Sequence, residues 1–151
     1  MSGSSKFFEK LCENFIKHGV YHPECIIYVE SYTDLVKVQQ LMLHRLQGFA
    51  YSGYTNSPET CLLEAYCAEL DDETKEFITE QFSKEFGTIR ILIATVAYGI
   101  RVDNKDIRMV IHWKEPKDLG LYCQEVGRAG RDGKLAIAIK FGQPDYFIYI
   151  I

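Results

Sequence analysis

Cys25-Ile26-Ile27-Tyr28-Val29, with Ser31 and Asp34 directly behind it, is the stretch that decides the fold. A short continuous apolar run after Pro23 suits a strand covered on both faces, as in a parallel sheet, because a strand with one wet face alternates. Ser31 and Asp34 have capping-box spacing, so a helix is expected at once. Leu35, Val38, Met42 and Leu46 then recur at helical spacing, and the helix is expected to end near Gly48.

Working outward, Lys6 to His18 places Phe7, Leu11 and Phe15 on one helical face with Phe8, Cys12 and Ile16 beside them, and Gly19 stands where helices commonly stop. From Phe49 to Asp71 the signals weaken: Gly53, Asn56 and Pro58 mark turns, and Cys61 to Leu70 reads as either a helix or an irregular insertion. Asp71, Asp72 and Glu73 put negative charge where a helix N-terminus favours it, and Ile78, Phe82 and Phe86 follow at helical spacing until Gly87. Ile89 to Thr95, Arg108 to His112 and Leu135 to Phe141 read as further buried strands, with a helix from Asp118 to Ala129 before the last. Alternation of this kind implies an α/β fold, three layers around a mainly parallel sheet. Residues 1–20 are expected to form a helix leading into one domain over residues 21–151. Ligands of such sheets sit at the carboxyl ends of the strands, where Thr95, Asp103 and a glycine-arginine segment are expected to gather.

Composition bounds the class and little more. The 47% hydrophobic and 25% charged content is ordinary for a soluble globular chain. A formal charge of −4 argues against binding nucleic acid through bulk electrostatics and leaves a local basic patch as the means. Cys12, Cys25, Cys61, Cys67 and Cys123 are odd in number with no CxxC pair, which fits reduced intracellular thiols better than a disulfide framework or a zinc site. There is no signal-peptide core and no apolar run long enough to span a membrane.

The chemistry concentrates in Gln124-Glu125-Val126-Gly127-Arg128-Ala129-Gly130-Arg131-Asp132-Gly133, two arginines three apart among glycines. Guanidinium is permanently charged and presents forked donors to phosphate oxygens, and glycine lets backbone approach closely. A phosphate-cradling loop of the chain's own would need GxxxxGK followed by Ser or Thr. None exists: Gly133-Lys134 is followed by Leu135, and Arg128 stands where the first glycine belongs. The spacing of Gly127, Gly130 and Gly133 is also not GxGxxG.

Taken with Ala94-Thr95-Val96-Ala97-Tyr98-Gly99-Ile100, this segment resembles the second RecA-like lobe of superfamily-two helicases, and the RecQ type in particular. Residues 94–100 resemble motif V, Tyr122 to Gly133 motif VI, and Cys25 to Tyr28 the motif IV strand; the segment from Tyr66 to Lys75 resembles the stretch before the helix leading to motif V. Gln124-Glu125 is RecQ-like, whereas DEAD-box RNA helicases usually begin motif VI with His-Arg, so the resemblance favours DNA over RNA. It implies an ATP-dependent 3′-to-5′ DNA helicase lobe in which Arg131 is the arginine finger on the γ-phosphate, Arg128 supports it, and Gln124 relays nucleotide state. Gly99 and Asp103 would lie near the nucleotide, and Thr95 would touch a phosphate of single-stranded DNA. ATP and Mg would be held mainly by a first lobe, with no metal bound by this chain. The site of action would be intracellular, in the nucleus or on the chromosome of a eukaryote.

Plain structural readings stand beside these. The arginines would merely satisfy helix-end carbonyls and a surface carboxylate, Thr95 would be a β-branched strand residue, Asp103 a turn former, and His112, next to the single Trp113, a structural histidine. Cys67 stands where the family often has histidine and reads as a small core residue. Arg101 replaces a usual glycine, Asn104-Lys105 a usual Lys-Pro, and the stretch from Gly48 to Glu64 is longer than the family's connection. With neither a Walker A lysine nor a magnesium-binding acidic box, the chain is expected to be a truncated product, half of a split gene or an excised piece, inactive alone. A non-catalytic relic that binds nucleic acid or protein, and an RNA helicase lobe, are the other readings.

Overall fold

The structure, a computed structural model, describes residues 3–52, 57–83, 87–95, 107–114, 119–141 and 146–150. In chain order its elements are α1 (Gly3–His18), β1 (Glu24–Val29), α2 (Tyr32–Leu46), β2 (Leu63–Tyr66), α3 (Asp72–Ser83), β3 (Ile91–Thr95), β4 (Ile107–His112), α4 (Leu119–Val126), β5 (Ile137–Phe141) and β6 (Tyr146–Ile150). They form a six-stranded sheet of order β2-β3-β1-β4-β5-β6, parallel throughout except for the antiparallel β5–β6 pair. The three-layer α/β reading is what the chain adopts.

The opening stretch does what its residues dictate. All six residues of β1 are buried, and the strand is central, paired with β3 on one side and β4 on the other. Ser31 is the N-cap of α2, its hydroxyl oxygen accepting from the Asp34 amide at 3.1 Å, which satisfies a helix-end donor that would otherwise be orphaned. Because a strand's side chains alternate, β1 feeds two cores. Cys25, Ile27 and Val29 meet Phe8, Leu11, Cys12 and Phe15 of α1 and Leu35, Val38, Met42 and Leu46 of α2. Ile26 and Tyr28 meet Ile78 and Phe82 of α3, Leu92, Val110 and Ala129. Burial of each large side chain in these layers contributes roughly 1.5–3 kcal/mol.

Differences from the sequence reading fall at the margins. Cys61 to Leu70 is neither helix nor irregular insertion: it contains the edge strand β2, in parallel register with β3 from Leu63–Ile91 to Tyr66–Ala94. The long stretch before it folds back on itself, with the Ser52 amide donating to the Thr60 carbonyl at 2.7 Å, the Leu62 amide to Ala50 at 2.8 Å, and a Tyr51–Cys61 bridge. The helix expected to run to Ala129 stops at Val126, and Phe86 lies outside the described residues. Along α1 the buried stripe is Phe8, Leu11, Cys12 and Phe15, whereas Ile16 is exposed.

All five cysteines are free, and Cys67 is a buried core residue as expected. Burial pushes the Cys12 thiol up to about 11, the conduct of an inert thiol. Among the described residues no helix is long and apolar enough to cross a membrane.

Candidate nucleotide-facing site

The chain leaves β1 for α2 on one face of the sheet and leaves β4 for α4 on the other, as the two core layers show. Neighbouring parallel strands whose connections depart to opposite faces open a crevice at their carboxyl ends, the usual ligand position of such sheets. Tyr28 and His112 are register partners there, with rings stacked 5.3 Å apart. Thr95 ends β3 one row further along, opposite Val29, and is half-buried.

Onto this edge α4 brings a buried carboxylate. Glu125 accepts from His112 Nε2 at 3.2 Å, and Tyr122 meets the His112 ring edge-on at 4.7 Å. Both members of the bond are almost fully shielded, His112 at 2% and Glu125 at 3% exposure. Arg128 follows one turn later, its amide bonded to the Glu125 carbonyl at 3.2 Å. Its guanidinium charge and the Glu125 carboxylate both act on the Tyr28 phenol: burial pushes that phenol's pKa up first, Arg128 opposes the rise and Glu125 adds to it. Gln124 and Arg131 are exposed, and Arg128 is partly so.

The expectation that the whole glycine-arginine segment stays at the carboxyl edge is wrong. The Gly130 amide donates to the carbonyl of Ile107, the first residue of β4, at 3.1 Å, and Asp132 pairs with Arg108 at 2.6 Å beside it. The cause is topological: β5 runs parallel to β4, so the chain must return to the amino end before β5 begins. An eight-residue helix and the turn after it make that return. Gln124, Glu125 and Arg128 therefore belong to the upper part of the crossing, and Gly130 to Lys134 to its foot. Gly130 at φ +70° and Gly133 at φ +80° carry the left-handed turn there, with the Gly133 amide closing on the Gly130 carbonyl at 3.0 Å.

The remaining sequence candidates, Gly99 and Asp103, lie outside the described residues, as does Arg101. Tyr28 and Glu125 were not read as site residues. Glu125 carried a signal, a carboxylate directly after Gln124 and one turn before Arg128; Tyr28 looked like any apolar strand residue.

As to what the site can hold, exposed Arg131 and partly exposed Arg128 suit phosphate oxygens, and the buried Nε of Arg128 has no hydrogen-bond partner. Among the described residues no three His, Cys, Asp or Glu side chains gather as a metal-binding group.

Residues 6–133 match the family described as helicase conserved C-terminal domain. The chain is 35% identical over 127 residues to the ATP-dependent DNA helicase hus2/rqh1 of Schizosaccharomyces pombe, covering 84% of this chain and 8% of that protein. It is 33% identical over 129 residues to the ATP-dependent DNA helicase Q-like 4B of Arabidopsis thaliana, covering 85% of this chain and 10% of that protein. It is 34% identical over 84 residues to the ATP-dependent DNA helicase RecQ of Pasteurella multocida, covering 55% and 13% respectively. The chain thus spans only a small part of the relatives it matches. The second domain of the DEAD-box helicase Mss116p, solved bound to an RNA duplex, superposes with a TM-score of 0.72 at 14% identity over 91% of this chain and 49% of that one, a likeness of fold alone. With a family match that runs from α1 through the glycine-arginine turn, and with RecQ-type DNA helicases among its relatives, this chain belongs to the helicase conserved C-terminal domain family, on its RecQ-like side.

Proposed function

We propose that this chain is the second RecA-like lobe of an ATP-dependent 3′-to-5′ DNA helicase, and that it completes a nucleotide site whose remainder lies on a first lobe. The observation that carries the reading is the placement of Arg128 and Arg131. They follow a short helix, Arg128 partly exposed on the upper part of the crossing and Arg131 exposed at its foot, between the two left-handed glycines.

Bound between two lobes, the magnesium nucleotide would supply the scissile phosphoanhydride. Arg131 would meet charge as it builds on the equatorial oxygens of the γ-phosphoryl group, a contribution worth about a thousandfold or more in rate where such fingers are measured. Arg128 would hold the same phosphate from the crevice side. Gln124, exposed on α4, would pass the closed or open state to the strand ends, where Thr95 would contact a phosphate of single-stranded DNA. Gly99 and Asp103 keep their proposed places near the nucleotide on family resemblance alone. Action inside the cell, on the chromosome, accords with RecQ-type relatives. Residues 21–151 would form the lobe proper, with residues 1–20 leading into it.

The test is complementation. The chain alone should show negligible ATPase; with a Walker A-bearing first lobe from a RecQ-type relative it should support DNA-stimulated turnover, and Arg131→Ala should abolish that gain. Robust hydrolysis by the chain alone would overturn the split-site reading. Stimulation by an RNA strand in preference to the same DNA sequence would overturn the choice of DNA.

A further inference from the structure

Four buried polar atoms in one place have no hydrogen-bond partner: Tyr28 Oη, His112 Nδ1, Glu125 Oε2 and Arg128 Nε. Tyr28 stacks on His112, His112 bonds Glu125 Oε1, and Arg128 stands one turn after Glu125 with its amide on the Glu125 carbonyl at 3.2 Å. Natural interiors rarely leave such groups unsatisfied, because an unpaired buried polar group is costly, so four together call for an explanation. The unsatisfied set is complementary. The Arg128 Nε–H and the Tyr28 O–H are donors, while the Glu125 Oε2 and, when Nε2 carries the ring proton, His112 Nδ1 are acceptors.

We propose that Glu125, His112 and Tyr28 are positioning residues for Arg128, anchoring the Nε side of its guanidinium in the crevice so that the terminal amino groups are the ones turned to a nucleotide phosphate. The inference rests on the reading of Arg128 as a phosphate contact. Partial exposure of Arg128 together with full burial of its Nε is the geometry an anchored guanidinium needs. His112 braces the carboxylate from beneath, and Tyr122 closes the ring's free edge. Arginine suits such a mount because its planar fork separates one inward N–H from two outward nitrogens, which a lysine ammonium does not do.

The anchoring has a readout that needs neither nucleotide nor DNA. In the isotopically labelled chain, the Arg128 Nε–H resonance should be protected from solvent exchange, and Glu125→Gln, Tyr28→Phe and His112→Phe should each shift it and reduce its protection at least threefold. Retained amide protection of Ile111 and Ala138 shows that each variant is folded. In the complemented ATPase, Glu125→Gln should lower kcat about tenfold with KM for ATP within twofold of the parent. An Arg128 resonance unmoved by all three folded variants overturns the proposal, as does an unchanged kcat in Glu125→Gln. If complementation itself fails while the resonance responds, the helicase reading falls and the anchored guanidinium stands.

Discussion

Glu24 and Arg90 form an ion pair at the amino end of the sheet, with the Glu24 side chain 2% and the Arg90 side chain 11% exposed. A carboxylate so deeply placed is tolerable only with its counter-charge, because the unpaired ion would lose its hydration and gain nothing in return. Arg90→Met should therefore lower the free energy of unfolding by about 3–5 kcal/mol in urea denaturation, the range seen when one partner of a buried pair is removed. Glu24→Leu combined with Arg90→Met should recover most of that loss, since two apolar side chains of similar volume leave no charge stranded. A single-variant loss equal to the double-variant loss would show that packing, not charge, is what Arg90 provides. None of this was visible in the sequence. The partners are 66 residues apart, and no local pattern links them. Glu125 escaped for the same kind of reason, since the burial of a charged residue is decided by the element that folds over it.

The crossing from α4 to β5 is held by one glycine more than by any other residue of the segment. Gly130 sits at φ +70°, and a Cβ there would come within 3.3 Å of the Lys134 carbonyl oxygen and 3.4 Å of Ala136 Cβ. Left-handed backbone costs an L-residue about 1–2 kcal/mol, and the tight neighbours add to it. Gly130→Ala should lower stability by at least about 1–2 kcal/mol, whereas Gly48→Ala, with open space around the new methyl, should stay within about 0.5 kcal/mol. Equal losses at both would show that the left-handed φ and the close neighbours of Gly130 are not what sets the cost, since the unfolded-chain effect of Gly→Ala is stabilising. At this scale the sequence was legible wherever one local rule acted alone. Ser31 caps α2 as its spacing to Asp34 required, and β1 and β3 are buried strands because uninterrupted apolar runs leave no wet face. It was illegible where neighbours choose the conformation. β2 is a four-residue edge strand in which Glu64 and Ala65 have little intrinsic preference for extended backbone, and pairing with β3 decides for them. β6 was legible and passed over: Tyr146-Phe147-Ile148-Tyr149-Ile150 is aromatic and β-branched throughout. The glycine-arginine segment is a turn where part of it was expected to be helix, and its foot lies away from the expected edge, because residue types specify φ and charge, and strand order specifies where the segment goes.

Over the whole molecule, the response to acid is set by groups whose proton affinity changes on folding. His22 is buried, donates from Nδ1 to the Pro23 carbonyl at 2.7 Å, packs against Phe15 and leaves Nε2 unpartnered. Burial, ahead of the opposing Pro23 bond, holds its pKa below the usual value of about 6.5. The folded chain thus keeps His22 neutral while the unfolded chain takes up a proton near pH 6.5, so the unfolded state binds more protons and stability falls as pH falls. The loss begins as pH drops through the unfolded value and stops growing only below the folded one. Asp132, held down by its hydrogen bond to Arg108, and Asp71, held down by the Thr74 amide, act in the same direction. Their stabilisation is complete above the unfolded carboxylate value and disappears as pH falls through their depressed folded values. Asp71 is solvent-exposed and Asp132 half-buried, and both lie well below the histidine window. Glu64 opposes them: burial raises its pKa above the usual carboxylate value, so the folded state binds the extra proton and gains relative stability as pH falls towards that range. Between about pH 7.5 and pH 6.5, next to the usual histidine value, His22 should contribute a loss of stability as pH falls. The urea midpoint of the parent should therefore fall across this interval, and that of His22→Gln, which does not titrate there, should fall measurably less. The two slopes are the quantity to compare, because the substitution also removes the Phe15 ring contact and so lowers the midpoint at every pH. Parallel slopes would show that the buried ring is protonated in the folded state, with Nε2 finding an acceptor, and would place the acid response elsewhere in the molecule.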